Sequence, residues 1–183
     1  MNTRRSLTSM MALVIFAASP SSQAEGNDIK AAVGARSTAP SSGVVSASLV
    51  ISRQDAPAAS IVLDVAALSR IGLRQIRTAV PWEKNGAIQT WEGVSLSRLA
   101  ASQKATGRDL YVSALDDYGA LLPAADTDRL DPILAWLRDG NPIRIKDKGP
   151  FVVIYPFTGN PDLSTTETYN TRSVWHVKQV DIR

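Results

Sequence analysis

Residues 135–156, AWLRDGNPIRIKDKGPFVVIYP, constrain the fold of this chain more than any other stretch. They place two turn signals, Asp139-Gly140-Asn141 and Asp147-Lys148-Gly149, between three apolar runs. Asp-Gly between alternating residues marks a hairpin, because glycine accepts the positive φ that a tight turn needs. Between the turns, Arg144, Lys146 and Lys148 alternate with Ile143, Ile145 and Asp147. On a strand, period two puts the three cations on one face and the isoleucines on the other. The expectation is a meander with a basic stripe, closed by a buried strand, FVVIY, that stops at Pro156.

The first 24 residues have the three parts of a secretory signal peptide. Arg4 and Arg5 stand in a region without acidic residues, Met10–Ala18 is an apolar run, and small residues occupy Ser22 and Ala24. The run is too short to span a bilayer, which takes ~20 residues. We expect cleavage near Ala24 and a periplasmic or secreted product, with no membrane insertion after cleavage. The Arg4-Arg5 pair partly fits the twin-arginine signal as well as the general secretory one. Without the leader the formal charge falls from +3 to +1, too small for a nucleic-acid footprint. The chain has no cysteine, which removes disulfides, thiolate nucleophiles and thiolate metal ligands together.

Residues 25–43 are rich in Gly, Ser, Ala and Pro without periodicity and are expected to be a flexible spacer. Strands are predicted over Val44–Ser52 and Ser60–Asp64. Asp64 then caps a short helix ended by Gly72. Arg74–Val80 and Ala87–Gly93 read as strands joined through Pro81, Trp82 and the Asn85-Gly86 turn. Ser95 caps an amphipathic helix over Leu96–Ala105. Asp109–Leu115 and Tyr118–Leu122 flank Asp116-Asp117 as a hairpin. Asp126–Pro132 and Phe157–Thr171 read as connections, and Ser173–Ile182 as the last strand. The sum is one domain over residues 44–183, of α+β class, with more strand than helix.

His176 is the single histidine, so a multi-histidine metal cage is excluded. On a strand it alternates with Trp175 and shares a face with Val174 and Lys178, which points to a sheet-surface or packing role instead of catalysis. Asp116 and Asp117 are adjacent in a turn, where side chains diverge, so a carboxylate there accepts backbone N–H groups instead of forming an acid–base pair. Arg144, Lys146 and Lys148, with Arg172, are the candidate anion contacts. The alternative for the lysines is a charged strand face that resists pairing with other chains.

Four segments together resemble the small exported members of the sulfite-oxidase-like, oxidoreductase molybdopterin-binding domain family. They are WEGVSLSRLA from Trp91, ALDDYGALLP from Ala114, GNPIRIKDKGPFVVIYP from Gly140 and YNTRSVWHVKQVDI from Tyr169. The resemblance implies a mixed β-sheet domain of that type and, in the enzymes, a pocket for the molybdenum-pterin cofactor. It also implies that Arg172, Ser173, Asp117 and Tyr118 lie at the pocket. Where the enzymes carry the metal-binding cysteine, this chain reads Ala79, Val80, Pro81; Trp82, next along, is expected to fill the metal's space. An arginine of the family pattern is replaced by Val152, and a lysine of the closing strand is missing. A soft-ligand site without thiolate leaves a metal held only through the pterin dithiolene. The expectation is therefore an exported binding or sensory module, a pseudoenzyme that recognises a small anion, a pterin or a periplasmic partner protein. The alternative is a molybdopterin-dependent oxidoreductase with a cysteine-free metal site.

Overall fold

Short β-branched runs cut by Gly, Asp and Pro cannot form long strands, and the described residues form ten short ones in one mixed and one antiparallel sheet. The structure, a computed structural model, describes residues 46–183. The expected leader and spacer, and the first two residues of the strand predicted from Val44, lie outside these residues.

The first sheet contains β1 (Ser48–Arg53), β2 (Ile61–Asp64), β5 (Leu110–Ala114), β6 (Gly119–Leu122) and β10 (Val177–Ile182), in the order β2-β1-β10-β5-β6. Its β1–β10 pair is parallel, so the last strand enters the middle of the sheet beside the first. The second contains β3 (Leu73–Thr78), β4 (Gln89–Ser95), β7 (Ile133–Arg138) and β8 (Asn141–Pro142) in that order, with β9 (Val152–Ile154) also paired to β7. The described domain is thus mixed α/β with two sheets and more strand than helix. Gly93 is required where β4 shifts register against β7, because a side chain there would meet the Leu134 carbonyl.

The two predicted caps form. The Asp64 carboxylate accepts from the Ala67 N–H at 2.7 Å and starts α1 (Val65–Gly72). Ser95 Oγ accepts from the Arg98 N–H at 3.2 Å and starts α2 (Leu96–Ser102), which is three residues shorter than predicted. Leu96, Leu99 and Ala100 bury one face of α2. FVVIY is buried throughout, consistent with a strand covered on both faces. Phe151 meets Trp136 edge to face at 6.4 Å.

Three expectations are corrected. First, Arg144, Lys146 and Lys148 share no strand face. The chain leaves β8 at Pro142 and turns through a 3-10 helix at Ile145–Asp147, with Lys148 left-handed at φ 77°. The Arg144 carbonyl accepts from both Asp147 N–H and Gly149 N–H, at 2.8 and 2.9 Å, so the backbone bonds to itself and not to a neighbouring strand. As a result Ile143 is 4% exposed and Ile145 63% exposed, not side by side on one face. Secondly, helices replace predicted connections: α3 (Ala124–Arg129), α4 (Pro161–Thr165) and α5 (Glu167–Arg172). Thirdly, the last strand starts only at Val177. His176 is left-handed at φ 52°, and the residues before β10 bond instead to the 148–153 segment. Val153 N–H donates to the Val174 carbonyl and Val177 N–H to the Phe151 carbonyl, linking the start of β10 to β9.

Candidate functional site

A cavity of about 540 Å³ opens where four segments converge. Pro81 and Trp82 come from the turn after β3, Asp116 and Tyr118 from the β5–β6 hairpin, Glu167, Asn170 and Thr171 from α5, and Ser173, Trp175 and His176 from the lead into β10.

Each wall is fixed by bonds that the local sequence supplies. Thr158 Oγ1 accepts from Ala79 N–H at 2.9 Å, and Thr78 Oγ1 accepts from Thr158 N–H at 2.8 Å, which holds the Pro81-Trp82 turn against the chain after β9. The Trp82 ring then packs edge-on against Phe157 and Trp175, with centroids 6.1 and 5.4 Å apart. In the hairpin, Asp116 Oδ1 accepts from Tyr118 N–H at 3.3 Å, and Leu115 N–H donates to the His176 carbonyl at 2.9 Å. The Tyr118 hydroxyl reaches across to the Thr171 carbonyl at 2.7 Å and joins hairpin to helix.

His176 Nδ1 lies 2.8 Å from the Gly149 carbonyl oxygen. A carbonyl only accepts, so that nitrogen carries the hydrogen, and in the neutral ring Nε2 is left as an acceptor. Gly149 is required at this contact, because a side chain would collide with the Ile143 carbonyl. Beside it, Lys148 Nζ stands 3.7 Å from the centroid of the Trp175 ring, a close cation–π contact.

Three buried polar atoms among the residues lining this cavity have no partner: Trp82 Nε1, Trp175 Nε1 and Asn170 Oδ1. A buried polar atom left unbonded costs about 1–3 kcal/mol; these three have almost no accessible surface, so they sit within the wall and do not face the open space. Among the described residues the lining includes two carboxylates, Asp116 and Glu167, and no Lys or Arg. The two carboxylates disfavour an anion at the lining itself, while the Lys148 ammonium lies on the Trp175 ring.

The candidates from the sequence divide accordingly. Trp82, Tyr118 and Ser173 line the cavity. Asp117 does not: it is left-handed at φ 65°, and its carboxylate bonds Lys178 Nζ at 2.9 Å. That hydrogen bond and the lysine charge hold the Asp117 carboxyl below its usual range. Arg172 faces the opposite side of α5 and bonds Asp126 Oδ2 at 2.8 Å. Arg144 pairs with Asp147, whose carboxyl it holds below the usual range, and borders a separate cleft with Arg138 and Asp139. Lys146 is exposed on the 3-10 turn, and Lys148 lies over Trp175. The four proposed anion contacts thus go four separate ways. Glu167, Asn170 and Thr171 were not singled out from the sequence, since nothing in a Thr- and Asn-rich run marks a helix. His176, expected on a sheet face, lines the cavity together with Trp175.

No family model matches the sequence, and no curated protein matches it. Among solved structures, the chain has a partial and distant likeness to the sulfane dehydrogenase SoxCD from Paracoccus pantotrophus, at 20% identity and a TM-score of 0.49. That likeness covers 74% of this chain and 37% of the other, so this chain spans well under half of that protein's length.

The residues present do not fit a molybdenum-pterin group. No thiolate exists to ligate the metal, and no cluster of three His, Asp or Glu side chains suited to a metal occurs among the described residues. The lining also offers no cation to a pterin phosphate.

Proposed function

We propose that this chain is an exported binding or sensory module whose cavity takes a flat nitrogen heterocycle of the pterin type, without thiolate-bound molybdenum. The observation that carries this reading is the indole pair. Trp82 and Trp175 meet at 5.4 Å on the cavity wall, with Asn170 beside them in the lining. Planar rings stack on such walls, each contact contributing about 1–3 kcal/mol by alanine substitution of the aromatic. A pterin has an amino group and a ring N–H along one edge, and these donors suit the Asp116 and Glu167 carboxylates and His176 Nε2. A small anion would instead meet two carboxylates.

The test is to isolate the protein from its native compartment, measure its molybdenum content, and record pterin fluorescence after denaturation. Pterin or a related heterocycle without stoichiometric molybdenum is the expected result. Stoichiometric molybdenum would overturn the binding-module reading in favour of a molybdopterin oxidoreductase.

A further inference from the structure

α5 has six residues, no side-chain cap at its N-terminus, and no fully buried residue. A helix that short does not hold itself together and depends on what its side chains grip. Its two faces do different things. Glu167, Asn170 and Thr171, at helical spacing, line the cavity. Tyr169 and Arg172, three apart, turn to the core. The Tyr169 ring lies 5.4 Å from that of Tyr155, and the Arg172 guanidinium 5.8 Å from the Tyr169 centroid.

On the cavity side the Tyr118 hydroxyl holds α5 at the Thr171 carbonyl, at 2.7 Å; on the core side the grip ends on one carboxylate. Asp126, in the first turn of α3 and 7% exposed, accepts at Oδ2 from Arg172 Nη1 at 2.8 Å and from the Tyr155 hydroxyl at 3.0 Å. Tyr155 directly follows β9 and is 0% exposed, so this carboxylate belongs to the rigid core. Ser173 Oγ donates to the Tyr169 carbonyl at 2.8 Å and closes the last turn of α5.

We propose that Arg172 is a positioning residue for the cavity: by binding Asp126 it fixes the azimuth of α5, and so the placement of Glu167, Asn170 and Thr171, without touching the ligand. This rests on the reading of the cavity as the ligand site. It also removes Arg172 from the anion contacts, because its charge is already matched.

Three variants test it: Arg172→Gln, Arg172→Lys, and the double variant Arg172→Met with Asp126→Asn. The double variant removes both charges together, so no unmatched carboxylate stays buried if the first variant folds poorly. Amide hydrogen exchange over residues 167–173 and the affinity for 6-hydroxymethylpterin are measured on the purified protein. The expected result for Arg172→Gln and for the double variant is exchange of α5 at least roughly 10-fold faster, with β5 and β10 unchanged. Pterin affinity should fall by a similar factor, and Arg172→Lys should recover part of both. Unchanged α5 exchange would overturn the proposal. An affinity loss without faster exchange would mean direct ligand contact and would overturn it as well. If the unsubstituted chain binds no pterin, the functional reading fails, while the exchange data still decide the role of Arg172.

Discussion

His176 Nδ1 donates to the Gly149 carbonyl at 2.8 Å, and the His176 N–H donates to the Lys148 carbonyl at 2.9 Å. Two residues of a turn thus hold one residue at the start of the last strand, twenty-seven positions further on. The same turn lays the Lys148 ammonium on the Trp175 ring. The Trp175-His176 wall of the cavity is therefore built by the 148–149 turn.

Replacing His176 should show how much of this is backbone conformation. His176→Asn tolerates the left-handed φ of 52°. It should stay within about 1 kcal/mol of the parent in urea denaturation, since asparagine also carries a donor. His176→Val loses the bond and forces a β-branched residue into the left-handed region, so it should cost about 2–3 kcal/mol.

Lys148→Met keeps the apolar stem and removes the cation from the Trp175 ring. It should lower stability by about 0.5–1 kcal/mol, with a change in tryptophan emission that Lys146→Met does not produce, because Lys146 lies exposed on the 3-10 turn.

Burial, and then the Asp126 carboxylate beside it, push the Tyr155 hydroxyl well above its usual value. A folded-state pKa above the unfolded one favours the native state below the unfolded value, near pH 10. That contribution is lost as pH rises further, at about 1.4 kcal/mol per pH unit for one proton. Tyr155→Phe should therefore flatten the alkaline limb of a stability–pH curve measured by urea denaturation. An identical limb in both proteins would show that Tyr155 does not titrate in this way.

Asp117→Asn should leave both the thermal midpoint and pterin affinity unchanged, because its exposed pair with Lys178 lies outside the cavity. Glu167→Gln, by contrast, should weaken binding roughly 10-fold through loss of a charge-assisted bond. Both are measured by the same fluorescence titration.

The features legible in the sequence are those set by local chemistry. The Asp64 and Ser95 caps, the Asp139-Gly140 and Asp116-Asp117 hairpins and the buried FVVIY strand each depend on residues within a few positions. The basic stripe failed because charged and apolar residues alternate in 143–148 just as in a strand, while the Arg144 carbonyl closes the backbone on itself. α5 was invisible because a charge pair to Asp126, forty-six residues away, replaces the apolar face that would have announced a helix. For the same reason the direction of Arg172 could not be read. Trp82, Tyr118 and Ser173 line the cavity, and the left-handed φ that turns His176 out of the strand leaves no mark in composition or periodicity.

The central claim is that the Trp82–Trp175 wall binds a flat nitrogen heterocycle. Titrating 6-hydroxymethylpterin into the purified protein while recording tryptophan fluorescence tests it directly. The account predicts saturable one-to-one quenching that Trp175→Ala weakens roughly 10- to 100-fold. Quenching that never saturates, or that is the same in Trp175→Ala, would contradict it.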